Sequence, residues 1–229
     1  MTSASAVSPE TVYNSIVAFF QGGGWHMLPI ALTFGVGVAI ALERFLYLRE
    51  TRRQNQTIWE KLHPMLAQGQ YKQARVVAAA SNTVIGRLLN KGLSQVQSGQ
   101  RREQVEAAIE EVLMEDLPRI ERLTHYLHML ANVAMLFGLL GTIWGLIQGF
   151  TAIATVDPAQ KASMLSASFS VAMNATAFGL ITAIPLLLIH SVLQTRTSEI
   201  VDSLEMAAVK FMNLINQAPP PAATGPATS

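Results

Sequence analysis

The chain has 229 residues, 50% of them hydrophobic, with a mean hydropathy of +0.31. Only 14% are charged, against roughly 25% in a typical soluble domain. There is no cysteine, which excludes a disulfide framework, a thiolate metal site and a cysteine nucleophile, and 16 basic residues against 15 acidic ones leave no nucleic-acid-binding surface.

In chain order, residues 1–24 come first and carry no basic residue. Ser8, Pro9 and Glu10 read as an N-cap, a proline at the first helical position and an acid in the first turn. Val12, Ile16 and Phe19/Phe20 then share one face, which predicts a short interfacial helix before the glycines at 22–24. The segment lacks the basic start and cleavage site of a signal peptide. Residues 25–48 form a first apolar stretch, interrupted only by Glu43 and Arg44 near its end. About 20 apolar residues suffice to cross hydrocarbon as helix, so this is a first transmembrane helix.

Residues 49–122 hold 12 of the 16 basic residues. The positive-inside rule places this segment in the cytoplasm and the N-terminus outside, with Arg49, Arg52 and Arg53 directly beside the span. The segment reads as helical: an Ala-rich pair over 70–90 broken near Ser81 and Asn82, then a helix from Arg101 to Leu123. In that helix Val105, Ala108/Ile109, Val112/Leu113, Leu117 and Ile120 keep a 3.6-residue period. Pro118 either kinks it or marks its boundary with the next span.

Residues 123–156 and 162–195 are two stretches of 34 residues each without Asp, Glu, Lys or Arg. As helices they would be about 50 Å long, against roughly 30 Å of hydrocarbon. Only a short link around Asp157 and Pro158 joins them, so the excess is expected on the cytoplasmic side. Three spans leave the C-terminus inside, with a cytoplasmic helix over 196–217 and a disordered Pro/Ala tail over 218–229. The fold class is therefore an all-α integral membrane protein: three transmembrane helices, the second and third projecting into the cytoplasm, and a helical cytoplasmic domain.

Enzyme signatures are missing. There is no P-loop, no Gly-x-Ser-x-Gly and no His-Glu-x-x-His, and nothing calls for a cofactor. Of His26, His63, His125, His128 and His190, the pair His125/His128 has a metal-ligand spacing. No carboxylate or thiol accompanies it inside the span, so an interfacial role is expected and no metal site.

The informative pattern lies in the second span. Gly141, Gly145 and Gly149 repeat every fourth residue, the small-residue spacing that lets membrane helices approach closely. At offsets of −4, +3 and +7 from Thr142 stand Gly138, Gly145 and Gly149, which share its face. At the same offsets from Thr176 in the third span stand Ala172, Gly179 and Ala183. With the turn near residue 159, both threonines lie at one depth. Two matched hydroxyls on small-residue faces point to a polar ring lining an ion pathway; ordinary packing would instead bond each hydroxyl to its own i−4 carbonyl. The glycine stripe is expected to join copies of the chain into a homo-oligomer within membrane lipid. Neither long span carries an acid, and Glu43 with Arg44 reads as an interfacial ion pair. Any ion relay must therefore take its carboxylate from another polypeptide.

These residues resemble the ExbB/TolQ/MotA proton-channel (stator) family, nearest its ExbB/TolQ branch. Ala41-Leu42-Glu43-Arg44-Phe45-Leu46-Tyr47-Leu48 is like the family's Ile-Glu-Arg end of the first span. Gly138-Leu139-Leu140-Gly141-Thr142-Ile143-Trp144-Gly145 is close to its Gly-Leu-Leu-Gly-Thr-Val-x-Gly signature. Ala175-Thr176-Ala177-Phe178-Gly179-Leu180 through Ala183-Ile184-Pro185 is similar to its third span. The resemblance implies a homopentamer in a bacterial inner membrane, surrounding a dimer of single-span ExbD/TolR/MotB-type partners whose membrane Asp carries the ion. It carries the family's two pore-lining threonines onto Thr142 and Thr176. Two positions depart: Val171 stands where ExbB and TolQ usually have Glu, and Met135 where the family has Pro. The implied function is a stator subunit that converts ion-motive force into mechanical work on its partner. The alternative from the residues alone is a non-conducting helical scaffold for an envelope complex.

Overall fold

The computed structural model describes Val17 and residues 24–217. The expected interfacial helix before Gly22 and the tail 218–229 lie outside the residues described. Six helices follow in order: α1 Met27–Ala67, α2 Tyr71–Ala80, α3 Val84–Gln97, α4 Arg102–Glu121, α5 Thr124–Ile153 and α6 Lys161–Gln217. The fold is all-helical, and three helices are long and apolar enough to cross a membrane.

The helix bounds differ from the sequence expectation in one consistent way. α1 does not stop where its apolar residues stop, and the separate helix expected over 196–217 is the end of α6, which runs unbroken for 57 residues. Hydropathy changes along these helices, but no glycine or proline at 48–50 or 195–197 ends them, so the backbone hydrogen-bond ladder continues. The opposite holds before the second span. Pro118 is accommodated inside α4, and the break falls at Arg122–Leu123, where Leu123 takes φ 73°. A left-handed leucine costs roughly 1–2 kcal/mol, and it stops the α4 ladder at this residue.

The chain divides into two compact units. The first comprises residues up to Arg44 together with Leu123–Leu193. The α5–α6 seam in its interior is made of small residues, Ala131, Ala134, Gly138, Gly141, Gly145 and Gly149 from α5 and Ala172, Ala175, Gly179 and Ala183 from α6, beside a few large ones such as Ile30, Leu127 and Leu186. Many of its large apolar side chains point outward, among them Leu32, Leu139, Ile143, Ile147, Ile181 and Leu188. A water-soluble domain does the reverse. Small inside and large apolar outside is the arrangement that suits lipid as the surrounding solvent.

The second unit comprises Phe45–Arg122 and the chain from Gln194 onward. Its core is of the soluble kind, with Leu62, Leu66, Leu88, Leu89, Leu93, Ile120, Ile200, Leu204 and Phe211 buried. Thr83 caps α3 by accepting a hydrogen bond from the Gly86 amide at 3.1 Å. Gly92 lets the Phe211 ring approach: a Cβ there would lie 2.6 Å from Cε1. Between α3 and α4, Arg87 donates two hydrogen bonds to Asp116, at 3.1 and 2.7 Å. Asp116 is only 2% exposed, so this bidentate pair secures a buried carboxylate.

Candidate functional site: the threonine pair of the two long spans

The glycines of α5 determine how closely α6 can lie against it. A Cβ on Gly138 would be 3.2 Å from both the Ala175 carbonyl oxygen and the Gly179 Cα, and one on Gly179 would be 2.9 Å from the Ala134 carbonyl oxygen. These are backbone atoms, so the two helices touch main chain to main chain. Below them, Gly145 faces Ala172 and Gly149 faces Ser168. The stripe expected to join copies of the chain is thus filled by the chain's own third span. Close approach followed from the spacing; the identity of the neighbour did not, since a period describes one helix face only.

At this seam the structure brings Thr142 and Thr176 together. Their hydroxyl oxygens are in hydrogen-bond contact. The Thr142 hydroxyl also reaches its own i−4 carbonyl, Gly138 O, at 3.3 Å. The Thr176 hydroxyl does not use its own helix; it crosses to the same Gly138 oxygen at 3.0 Å. Three oxygens therefore meet in a triangle that has only two hydroxyl protons to share. One contact always lacks a hydrogen, so the cluster has acceptor capacity left over. Both threonines are half-buried.

The remaining candidates sit elsewhere in the same unit. Ala172 and Ala183 are buried in the α5–α6 seam or beside it, as is Gly179. Glu43 and Arg44 form an ion pair at 3.7 Å, with Arg44 3% and Glu43 53% exposed. His125 and His128 do not pair with each other; the His128 ring lies 5.4 Å from that of His190 on α6. Among the described residues no group of three His, Cys, Asp or Glu could hold a metal ion.

Two features escaped the sequence reading. One is the shared Gly138 carbonyl, which no side-chain pattern reveals. The other is His26, buried against Gly141 with its ring 6.0 Å from that of Trp144. A histidine at the first turn of an apolar stretch was the available signal.

The small-residue seam and the oxygen cluster thus lie between two long apolar helices of an all-α, multi-pass membrane protein. The MotA/TolQ/ExbB proton channel family matches over residues 80–206, and the chain belongs to that family, whose members are transport components rather than enzymes. It is 28% identical over 198 residues to an ExbB homolog from Methanothermobacter thermautotrophicus, an alignment that covers 85% of this chain and 68% of that protein.

Proposed function

We propose that the chain is the stator subunit of an ion-driven motor: a homo-oligomer around single-span partner helices that converts proton or sodium flow into mechanical work on the partner. Thr142 and Thr176 line the ion pathway. The observation that carries this reading is the acceptor-rich triangle of Thr142, Thr176 and the Gly138 carbonyl, set in spans that hold no Asp, Glu, Lys or Arg. Such a cluster stabilises a passing cation, or the proton of a partner's carboxyl group, by accepting from it. It does not hold a titratable proton of its own, so the carboxylate comes from the partner, an ExbD/TolR/MotB-type dimer with a membrane Asp.

In this reading the multi-pass chain sits in a cytoplasmic (inner) membrane with residues 49–122 and the C-terminus inside, because the basic residues concentrate there. The test is partner-dependent ion flux in proteoliposomes, with oligomer yield as the folding control. A Thr142→Val/Thr176→Val variant should assemble and lose transport. One that assembles and transports normally would remove the assignment. The scaffold alternative has one point in its favour, the Thr142 bond to its own i−4 carbonyl, and it predicts mild effects from both substitutions.

A further inference from the structure

Two ionisable side chains of the described membrane segments are buried: Arg44, paired with Glu43, and His26. His26 is 5% exposed, and among the described residues neither Nδ1 nor Nε2 has a hydrogen-bond partner. A buried imidazole normally satisfies at least one nitrogen, and an orphaned one calls for an explanation. Its setting is specific. The Trp25 ring lies 4.3 Å away and the Trp144 ring 6.0 Å away. A Cβ on Gly141 would lie 3.5 Å from the His26 Cβ and 3.7 Å from its Cγ. A Cβ on Gly24 would lie 3.9 Å from Nδ1 and 3.6 Å from the Val171 Cγ1. The imidazole therefore occupies the layer of Gly141, the residue before Thr142, with Gly24 between it and Val171 on α6.

No other charged or titratable group of the described residues shares that layer. On α1 the next are Glu43 and Arg44, and 16 residues of helix, about 24 Å, separate Gly141 from His125 on α5. On α6 the nearest are Lys161, ten residues before Val171, and His190 beyond it, with Asp157 in the link. An ionisable group buried among membrane helices is a functional group by default.

We propose that His26 is a proton-binding site of this chain, loading the Thr142/Thr176 pathway from the end of the membrane where the first span begins. The proposal rests on the conducting reading above and narrows it to protons, because a neutral imidazole suits neither the size nor the hardness of sodium. A proton leaves hydronium, water departs, and an N–H bond forms at a free ring nitrogen. The imidazolium becomes neutral again when an N–H proton passes to a partner carboxylate at the level of the threonines. Having both nitrogens unengaged allows uptake at one and release from the other.

The experiment uses the full chain co-reconstituted with its single-span partner in proteoliposomes, comparing His26→Gln with wild type. Glutamine keeps a polar side chain but does not titrate, so proton flux should fall roughly a hundredfold, with oligomer yield and partner capture unchanged. Nitrogen-15 NMR of histidine-labelled wild-type chain in nanodiscs is the second measurement and stands even if the variant misassembles. The resonances that His26→Gln removes, or selective labelling identifies, should convert from the neutral to the imidazolium form as the pH is lowered. Flux in His26→Gln equal to wild type in rate and pH profile would overturn the proposal, as would a ring that stays neutral throughout, or sodium as the carried ion. Where the threonine double variant is silent and His26→Gln is normal, the pathway stands and His26 alone fails. Where wild type itself conducts nothing with its partner, both readings fall.

Discussion

The Thr176 hydroxyl donates to the Gly138 carbonyl oxygen of the neighbouring helix at 3.0 Å, not to a carbonyl of its own helix. That carbonyl belongs to the i−4 residue of Thr142, whose own hydroxyl reaches it at 3.3 Å. One backbone oxygen thus ties both functional candidates together. It is accessible only because neither Gly138 nor Gly179 carries a Cβ: a methyl on Gly179 would meet the Gly138 Cα at 3.0 Å. Glycine here does more than permit packing. It exposes a main-chain acceptor to the side chain of another helix.

The two threonines should therefore respond differently to loss of the hydroxyl. Thr176→Val removes the interhelical hydrogen bond and should destabilise the α5–α6 pair by about 1 kcal/mol. Thr142→Val removes a long intrahelical bond and the contact with the Thr176 hydroxyl, which keeps its own bond to Gly138, and should cost less. Transport should fall strongly in both, and Thr→Ser should keep part of it at either site. Denaturant unfolding in detergent separates the first effect from flux measured in liposomes.

The chain reconstituted alone should be nearly silent in proton and sodium flux assays, because both long spans lack an acid or base of the Asp, Glu, Lys or Arg kind. Addition of a single-span partner with a membrane Asp should switch flux on, and changing that Asp to Asn should switch it off. Robust selective conduction by the chain alone would sink the prediction.

How far the sequence could be read depended on whether the signal lay along one helix or between two. The spans were legible because charge is absent over residues 123–156 and 162–195, and the threonines because their offsets to small residues obey helical geometry. The unbroken continuation of α1 past 48 and of α6 past 195 was not, since a change in hydropathy is not a stop signal and Arg49 or Arg196 continues a helix as readily as leucine does. The partner of the glycine face, the crossing hydrogen bond of Thr176 and the burial of His26 are all interhelical. A one-dimensional period carries no information about which surface meets it.

The buried carboxylate in the second unit makes an asymmetric prediction. Asp116 is 2% exposed while Arg87 is 42% exposed. Asp116→Ala leaves an arginine that water can solvate and should cost about 1 kcal/mol. Arg87→Ala leaves a buried carboxylate with only Arg119 nearby, at 3.5 Å, and should cost about 3 kcal/mol. Chemical denaturation of the two single variants tests the order, and equal losses would show that Arg119 takes over the partner role.

The glycine seam gives the last prediction, and it separates packing within one chain from packing between copies. A methyl added at Gly35 would meet nothing within 4 Å, so Gly35→Ala should be tolerated and can even stabilise α1 by up to about 1 kcal/mol through helix propensity. At Gly179 the added methyl meets backbone of α5 at 2.9 Å, which no rotamer change relieves. Gly179→Ala should force the helices apart and cost about 1–3 kcal/mol. Gly145→Leu places its Cβ 3.0 Å from that of Ala172, with a bulky side chain still to fit beyond it. If the seam joined copies, these larger residues would yield folded, inserted monomers. Because it joins α5 to α6 of one chain, they should instead lower the unfolding midpoint of the monomer itself, with any loss of oligomer following from that. Unfolding followed by tryptophan fluorescence, in parallel with native mass spectrometry, distinguishes the two. A Gly145→Leu chain that unfolds like wild type but no longer assembles would return the stripe to the interface between copies.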